Sequence, residues 1–308
     1  MSVLPSIPHA KVIVNPVAGA SSTRRKWPRI SRLLKLIGLS FDYEYTEGVG
    51  HAIELARAAA SDGYRYLVAV GGDGTVNEVA NGILYSTNAS TTSLGVISTG
   101  TGSDFARSMG LSRHYVNACS ALTHGRKALI DVGVVEYRHK GQARQRYFVN
   151  AAGVGFDAAI VQATERLPKF LGGTVPYVLG LLRTLIGYRN KSVVVRIGDK
   201  VEKTRAVTVV VANGAYLGGG MYVAPGASLN DYLFDVMIVR DMGKFELLRV
   251  FPRVYKGTHV TYPKVVMGKA AEVTVESPDR ILVQTDGELL GEGPVSFRLM
   301  PAALSVMV

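Results

Sequence analysis

Short apolar runs and amphipathic segments take turns along the chain from Ala10 to about Val135. AKVIVNP reads as a buried strand closed by the turn pair Asn15-Pro16, and RRKWPRISRLLKLIG places Trp27, Ile30, Leu34 and Ile37 at helical spacing. Pro28 inside that run is tolerated if it falls in the first turn of the helix. FDYEYT then predicts a strand, HAIELARAAASDG a helix ending at Gly63, YRYLVAV a strand and VNEVANGIL a helix. LGVIS, DFARSMGL, YVNACSALTHG and ALIDVGVVEY continue the series as strand, helix, helix and strand. Strands alternating with helices through short connections predict an α/β domain built on a parallel, doubly wound sheet.

Beyond Val135 the pattern turns strand-rich, in QRYFVNAAG, SVVVRIG, RAVTVVVANG, LFDVMIVR, AAEVTVES and RILVQT. Gly198-Asp199 and Asp286-Gly287 are hairpin signals between such runs. These features predict a second, mainly antiparallel domain with helical segments near 157–166, 174–188 and 244–255. The expected boundaries are 1–132 for the α/β domain and 133–299 for the β-rich one. The final strand, ALSVMV at about 300–308, fits either domain by pattern alone.

In a doubly wound sheet, ligands sit beyond the carboxyl ends of the strands. NPVAG (from Asn15), GGDGT (Gly71–Thr75) and STGTGSD (Ser98–Asp104) all fall at such ends. Glycines there let backbone N–H groups converge on an anion, and the following helix adds partial positive charge. A phosphate repels Asp73 unless a cation lies between them, so Asp73 argues for magnesium, with Thr75 and Asn77 as donors to phosphate or sugar oxygens. For one loop alone, a tight turn capped by Asp73 or Thr75 is an equal reading. Three similar loops on one edge favour a nucleotide. No G-x-x-x-x-G-K-[ST] run occurs, which excludes a P-loop. AGVGFDA (Ala152–Ala158) carries dinucleotide-type spacing, but no following strand brings a ribose-binding acid, and a packing turn is the better reading.

The 35 Lys and Arg against 24 Asp and Glu give a formal charge of +11, which suits an anionic partner: nucleic acid, a membrane surface or a polyphosphate. One cysteine, Cys119, excludes an internal disulfide and fits a reducing, cytoplasmic setting. The N-terminal stretch lacks the leader of a signal peptide. FLGGTVPYVLGLLRTLIGY is interrupted by Gly172, Gly173, Pro176 and Arg183, which makes a poor spanning helix. The histidines show no metal-like pairing.

NPVAG, GGDGTVNEVANGI, GTGSDFARSMGL, LIDVG, GFDA, PGASLNDYLFDVMIV and TDGELLG occur in the order seen in the bacterial diacylglycerol kinase-like lipid kinases. From about Lys11 to about Gly291 the chain resembles that family, whose GGDGT element is shared with NAD kinases and phosphofructokinases. The resemblance implies a Rossmann-like N-terminal domain, a C-terminal β-sandwich that takes the lipid acceptor, and an ATP- and magnesium-dependent transfer of the γ-phosphoryl group to a hydroxyl of diacylglycerol or a related lipid. It implies nucleotide contacts from Asn15, Pro16, Val17, Ala18, Gly19, Thr46, Gly72, Asp73, Gly74, Thr75, Val76, Asn77, Glu78, Thr101 and Asp104. It places Asp73, Asp104 and Asp131 around the nucleotide's magnesium, and makes Glu288 the general base. A structural magnesium is implied at Ser228, Asp231 and the Leu233 carbonyl. The chain departs from the family pattern at Tyr232, where glycine is usual, and at Ser103, where asparagine is usual. Arg183, Arg189 and Lys191 beside the apolar segment would favour anionic headgroups of a membrane touched from one side. An ordinary buried helix is an equal reading of that segment. A homodimer is compatible with the sequence. The competing readings are an NAD kinase-like activity on a soluble acceptor and a non-catalytic nucleotide-sensing or nucleic-acid-binding protein.

Overall fold

The computed structural model describes residues 9–165 and 175–308. Residues 1–8 and 166–174 lie outside the described residues, and with them the N-terminal stretch, the start of FLGGTVPYVLGLLRTLIGY and the edges of two expected helices. The chain divides into two compact units, Met1–Ile130 with Ala302–Val308, and Asp131–Pro301.

In the first unit β1 (Ala10–Val14), β2 (Phe41–Tyr45), β3 (Tyr66–Gly71) and β4 (Ser93–Ser98) alternate with α1 (Ala18–Leu36), α2 (His51–Ser61) and α3 (Asp73–Leu84). Two shorter helices follow, α4 (Asp104–Ser108) and α5 (Tyr115–His124). The strands pair in parallel in the order β2–β1–β3–β4, with Val12 opposite both Tyr43 and Val68, and Val70 opposite Ile97. Winding reverses between β1 and β3, so the loops leaving these two strands diverge and open a crevice at their carboxyl ends. Trp27, Ile30 and Leu34 of α1 bury their helical stripe against Val12, Val68 and Val70.

Pro28 is not in the first turn. Gly19, Ala20 and Ser21 take left-handed angles, so the regular part of α1 begins near Ser22 and Pro28 sits in its second turn. There it leaves the Arg24 carbonyl without its helical donor. The last strand, Glu288–Met307, brings Ser305 opposite Ser93 and Val306 opposite Leu94 as a further parallel member of this sheet. Arg126 and Val308 exchange two backbone hydrogen bonds of 2.9 Å beside it.

The second unit contains β5 (Lys127–His139, entered from the first unit), β6 (Gln142–Phe148), β7 (Ala151–Gly155), β8 (Lys191–Ile197), β9 (Lys200–Ala212), β10 (Phe234–Arg240), β11 (Val265–Ala270), β12 (Glu272–Glu276), β13 (Leu282–Thr285) and β14, the Glu288–Met307 strand. Its helices are α6 (Phe156–Glu165), α7 (Val175–Gly187) and α8 (Lys244–Val250). The pairings β9–β8–β12–β14–β13–β7–β9 are all antiparallel and close on themselves, and β10 and β11 extend from β9. Period-two alternation sorts the core: Val209 and Val211 face a sandwich interior with Phe148, Phe234 and Phe297. Val210 points the other way, to a layer with Phe156, Ile160, Leu185 and Met237.

Two elements differ from the sequence expectation. QRYFVNAAG is not one strand; it breaks at Val149-Asn150, whose N–H groups bond to the Asp286 carboxylate. The helix expected over 244–255 stays α-helical only to Val250 and tightens to a 3-10 turn over Phe251–Lys256, where Pro252 removes a donor.

Candidate functional site

Because β1, β3 and β4 run parallel side by side, their three loops meet at one edge of the first unit. Gly72 alone separates β3 from α3, and it packs backbone to backbone against Gly100 of the β4 loop. A Cβ on Gly100 would lie 2.5 Å from the Gly72 Cα. Gly19, at φ +58°, likewise leaves no room, since a Cβ there would lie 2.4 Å from the Thr99 carbonyl oxygen. The first object these glycines approach is therefore another loop. Gly74 differs: it sits in the first turn of α3 and nothing lies within 4 Å of where its Cβ would be.

Side chains lock the same junction. Asn15 donates Nδ2 to Thr75 Oγ1 at 3.0 Å and accepts the Val17 N–H at Oδ1 at 3.1 Å. The Thr23 and Thr99 hydroxyls meet at 2.6 Å in a buried contact. Asp73 accepts the Phe105 N–H at Oδ1, 3.0 Å away, and so joins the GGDGT loop to the start of α4. Capping thus occurs, but on a neighbouring helix whose first turn also carries Asp104. Ser103 enters α4 at φ +57°, a left-handed position that asparagine tolerates better than serine, and its hydroxyl meets that of Ser98 at 2.6 Å. Thr101 is exposed, Val17 is 70% exposed, Pro16 and Ala18 are half-buried where β1 leads into α1, and Val76 is buried inside α3. Thr46, at the end of β2, bonds through its N–H to the Val14 carbonyl.

Two predicted residues serve the scaffold. Glu78 accepts the N–H groups of Gly50 and Ala52 at 3.0 and 3.1 Å, capping α2, whose own N-cap is a glycine without a side chain. Asn77 is buried, and its Oδ1 accepts from Asn81 Nδ2 at 2.6 Å. The open part of the loop narrows to Gly72–Gly74, since Thr75 is buried. Sequence reasoning also passed over Arg107, one turn along α4, whose Nε is buried without a hydrogen-bond acceptor among the described residues. The basic residue closing DFAR was the available signal.

In the second unit Asp286 and Gly287 form a two-residue turn with both φ positive, +48° and +85°, between Thr285 and Glu288. The Asp286 carboxylate accepts the N–H groups of Val149, Asn150 and Ala151 at 2.9, 3.1 and 2.8 Å. Gln284 braces the turn from behind, accepting the Gly287 N–H and donating to Asp157, each at 3.0 Å. Burial raises the Asp157 pKa, against which the bonds from Thr208 and Gln284 act. Gly153 has no room for a side chain because the Asp157 carboxylate lies over it, so the AGVGFDA glycine has a packing role in this unit. At the end of this braced turn Glu288 presents a partly exposed carboxylate, whose Oε2 accepts from Arg146 Nη2 at 2.5 Å. No sequence signal joins Arg146 to Glu288, which lie 142 positions apart.

Asp131 is fully buried. Its N–H donates to the Leu229 carbonyl at 2.7 Å, and its Oδ2 accepts the Tyr232 N–H at 2.8 Å. Tyr232 holds the left-handed angle, φ +65°, that glycine would supply. The magnesium implied at Ser228, Asp231 and Leu233 does not fit what the loop contains. Asp231 Oδ2 is 2.9 Å from the Lys269 ammonium, Asp231 Oδ1 accepts the Leu233 N–H at 3.3 Å, and the Ser228 hydroxyl donates to Asn230 at 2.9 Å. The Asp231 carboxylate and the Ser228 hydroxyl are already engaged, and a lysine carries the positive charge. Within each unit, among the described residues, no three His, Cys, Asp or Glu gather as a metal set.

Residues 9–135 match the family model of the diacylglycerol kinase catalytic domain, and residues 150–308 match the YegS C-terminal NAD kinase beta sandwich-like domain. The chain is 29% identical to a diacylglycerol kinase of Bacillus subtilis (strain 168), over 94% of this chain and 92% of that protein. It is 27% identical to one of Staphylococcus carnosus (strain TM300), over 94% and 91%. In fold it is similar to the crystal structure of a diacylglycerol kinase from Bacillus anthracis str. Sterne, with TM-score 0.74 and 21% identity, over 99% of this chain and 98% of that one.

Proposed function

We propose that this chain, which belongs to the bacterial diacylglycerol kinase-like lipid kinases, transfers the γ-phosphoryl group of magnesium-complexed ATP to a hydroxyl of diacylglycerol or a closely related lipid. The observation that carries the nucleotide half is the junction of three loops around Gly72 and Gly100, with open space over Gly74 and the Asp73 carboxylate beside it. Phosphoryl transfer needs the phosphates positioned and their charge neutralised. Gly74 lets a phosphate approach the N–H groups that open α3, and Asp73, whose Oδ1 is held by Phe105, has its Oδ2 to turn toward the cation. The bound magnesium would supply charge neutralisation of the β- and γ-phosphates. Glu288 takes the proton of the acceptor hydroxyl as its oxygen attacks the γ-phosphorus and the bond to the β,γ-bridging oxygen breaks, releasing ADP.

Gly74 and Gly100 separate binding from folding. Gly74→Ala stabilises α3 by up to about 1 kcal/mol, while the added methyl raises KM for ATP roughly ten- to a hundredfold. Gly100→Ala lowers stability by about 1–3 kcal/mol, because its Cβ meets backbone. Thermal melts paired with ATP titrations check both, and a Gly74→Ala enzyme with an unchanged KM would remove the phosphate from that helix turn.

The acceptor side has support in an exposed apolar and basic face. Ile186 and Phe245 are 76% and 90% exposed, Leu182 and Leu248 accompany them, and Arg183 and Arg249 are exposed alongside. The Lys244 ammonium donates to the Ile186 carbonyl and ties the end of α7 to the start of α8. Such a face suits an anionic bilayer touched from one side. Among the described residues no helix is long and apolar enough to cross a membrane.

The deciding experiment supplies γ-labelled ATP with diacylglycerol in phosphatidylcholine vesicles, with and without anionic phospholipid, and NAD in parallel. Label enters phosphatidic acid, faster on the anionic vesicles. Label in NAD alone would replace the lipid reading with a soluble-acceptor kinase.

A further inference from the structure

The acidic loop before β10 closes on a cation that the chain itself provides. Antiparallel pairing sets Lys269 of β11 directly opposite Asp235 of β10. From there its ammonium reaches Asp235 Oδ2 at 3.0 Å, Asp231 Oδ2 at 2.9 Å and the Gly226 carbonyl oxygen at 3.0 Å. The Asp231 and Gly226 contacts are hydrogen bonds, and Asp235 Oδ2 is held as an ion pair. The Asp235 side chain is only 6% exposed, so without a positive partner its charge would be costly to bury.

The clamp acts on a strained turn. Tyr232 follows Asp231 directly, sits at φ +65° where side chains are disfavoured, and delivers its N–H to the buried Asp131 carboxylate.

We propose that Lys269 is a built-in cation that fixes the loop from Gly226 to Asp235 and thereby positions Asp131, so that this loop folds without a divalent metal. In this chain the lysine does the work that a structural magnesium would otherwise do at Asp231. The inference concerns the loop alone and stands apart from the identity of the acceptor lipid.

The test compares the wild-type chain with Lys269→Met and Lys269→Arg, by thermal melting and by hydrogen exchange of the Tyr232 amide, in EDTA and in millimolar magnesium or calcium. Nucleotide is absent throughout. The wild type melts at the same temperature in all three conditions and protects the Tyr232 amide in EDTA. Lys269→Met melts roughly 3–8 °C lower in EDTA and loses that protection. A divalent cation, now able to enter between Asp231 and Asp235, restores most of both. Lys269→Arg behaves as the wild type. A Lys269→Met chain that folds only when magnesium or calcium is present also supports the clamp. If that variant folds in no condition, the wild-type amide decides: protection in EDTA supports the proposal, and protection that appears only with metal overturns it. Two further results overturn it. One is metal stabilisation of the wild type that disappears in Asp231→Asn. The other is Lys269→Met with unchanged melting and unchanged Tyr232 protection in EDTA.

Discussion

Asp73→Asn removes phosphoryl transfer almost completely while leaving the fold intact, with kcat/KM for ATP falling about a thousandfold or more. The size follows from the several kcal/mol that a correctly held cation contributes to phosphoryl chemistry, at about 1.4 kcal/mol per factor of ten. The choice of asparagine follows from the structure. Asp73 Oδ1 accepts the Phe105 N–H, so alanine would remove both the charge and the link between two loops. Asparagine keeps an acceptor oxygen for Phe105 and loses only the charge. Asp73→Ala therefore loses activity and, in addition, about 1 kcal/mol of stability. Steady-state kinetics with varied ATP and magnesium, run beside thermal melts of both variants, separate the two contributions. An Asp73→Asn enzyme with turnover near the wild type would show that the carboxylate is a cap and nothing more.

Glu288→Gln lowers kcat by about a hundred- to ten-thousandfold and leaves ATP affinity unchanged. Glutamine is close in shape, and its carbonyl oxygen can still accept from Arg146, so the side chain stays where it is and loses only its ability to take a proton. The neighbouring acid has the opposite profile. Asp286→Ala strands three backbone N–H groups, at Val149, Asn150 and Ala151, and costs about 1–3 kcal/mol of stability. On the proposed mechanism, two acids separated by one glycine divide into a brace and a base. Nucleotide titration of Glu288→Gln, single-turnover transfer and the Asp286→Ala melt measure this division. Retention of full turnover by Glu288→Gln would assign the proton to another acceptor.

The distribution of what could be read in advance is physical. Glycine-bearing loops at strand ends are local features: strand, turn and helix adjoin in sequence, so GGDGT and GTGSD announce themselves by composition and position. The same is true of the Asp286-Gly287 hairpin, which forms the two-residue turn its sequence predicts. What those residues touch is not local. Gly72 and Gly100 read as places where a ligand comes close, and first of all they let two loops pack together. Glu78 reads as part of the nucleotide loop and caps a helix 26–28 positions earlier in the chain. Asp231, where the resemblance implies a structural magnesium, pairs with Lys269, 38 positions away, which no spacing rule connects to it.

The sequence by itself determined the division into a parallel α/β part and an antiparallel β part, and the edge of the sheet on which the glycine loops lie. Hydrophobic period and turn chemistry are properties of neighbouring residues, and they survive in a linear string. Only the tertiary structure decided that the last strand pairs with β4 through Ser305 and Val306, that Arg146 holds Glu288, and that a lysine bridges Asp231 and Asp235. Each of these depends on strand register, and register becomes fixed only when whole faces are buried together, because a shift of one residue would turn every side chain to the opposite side.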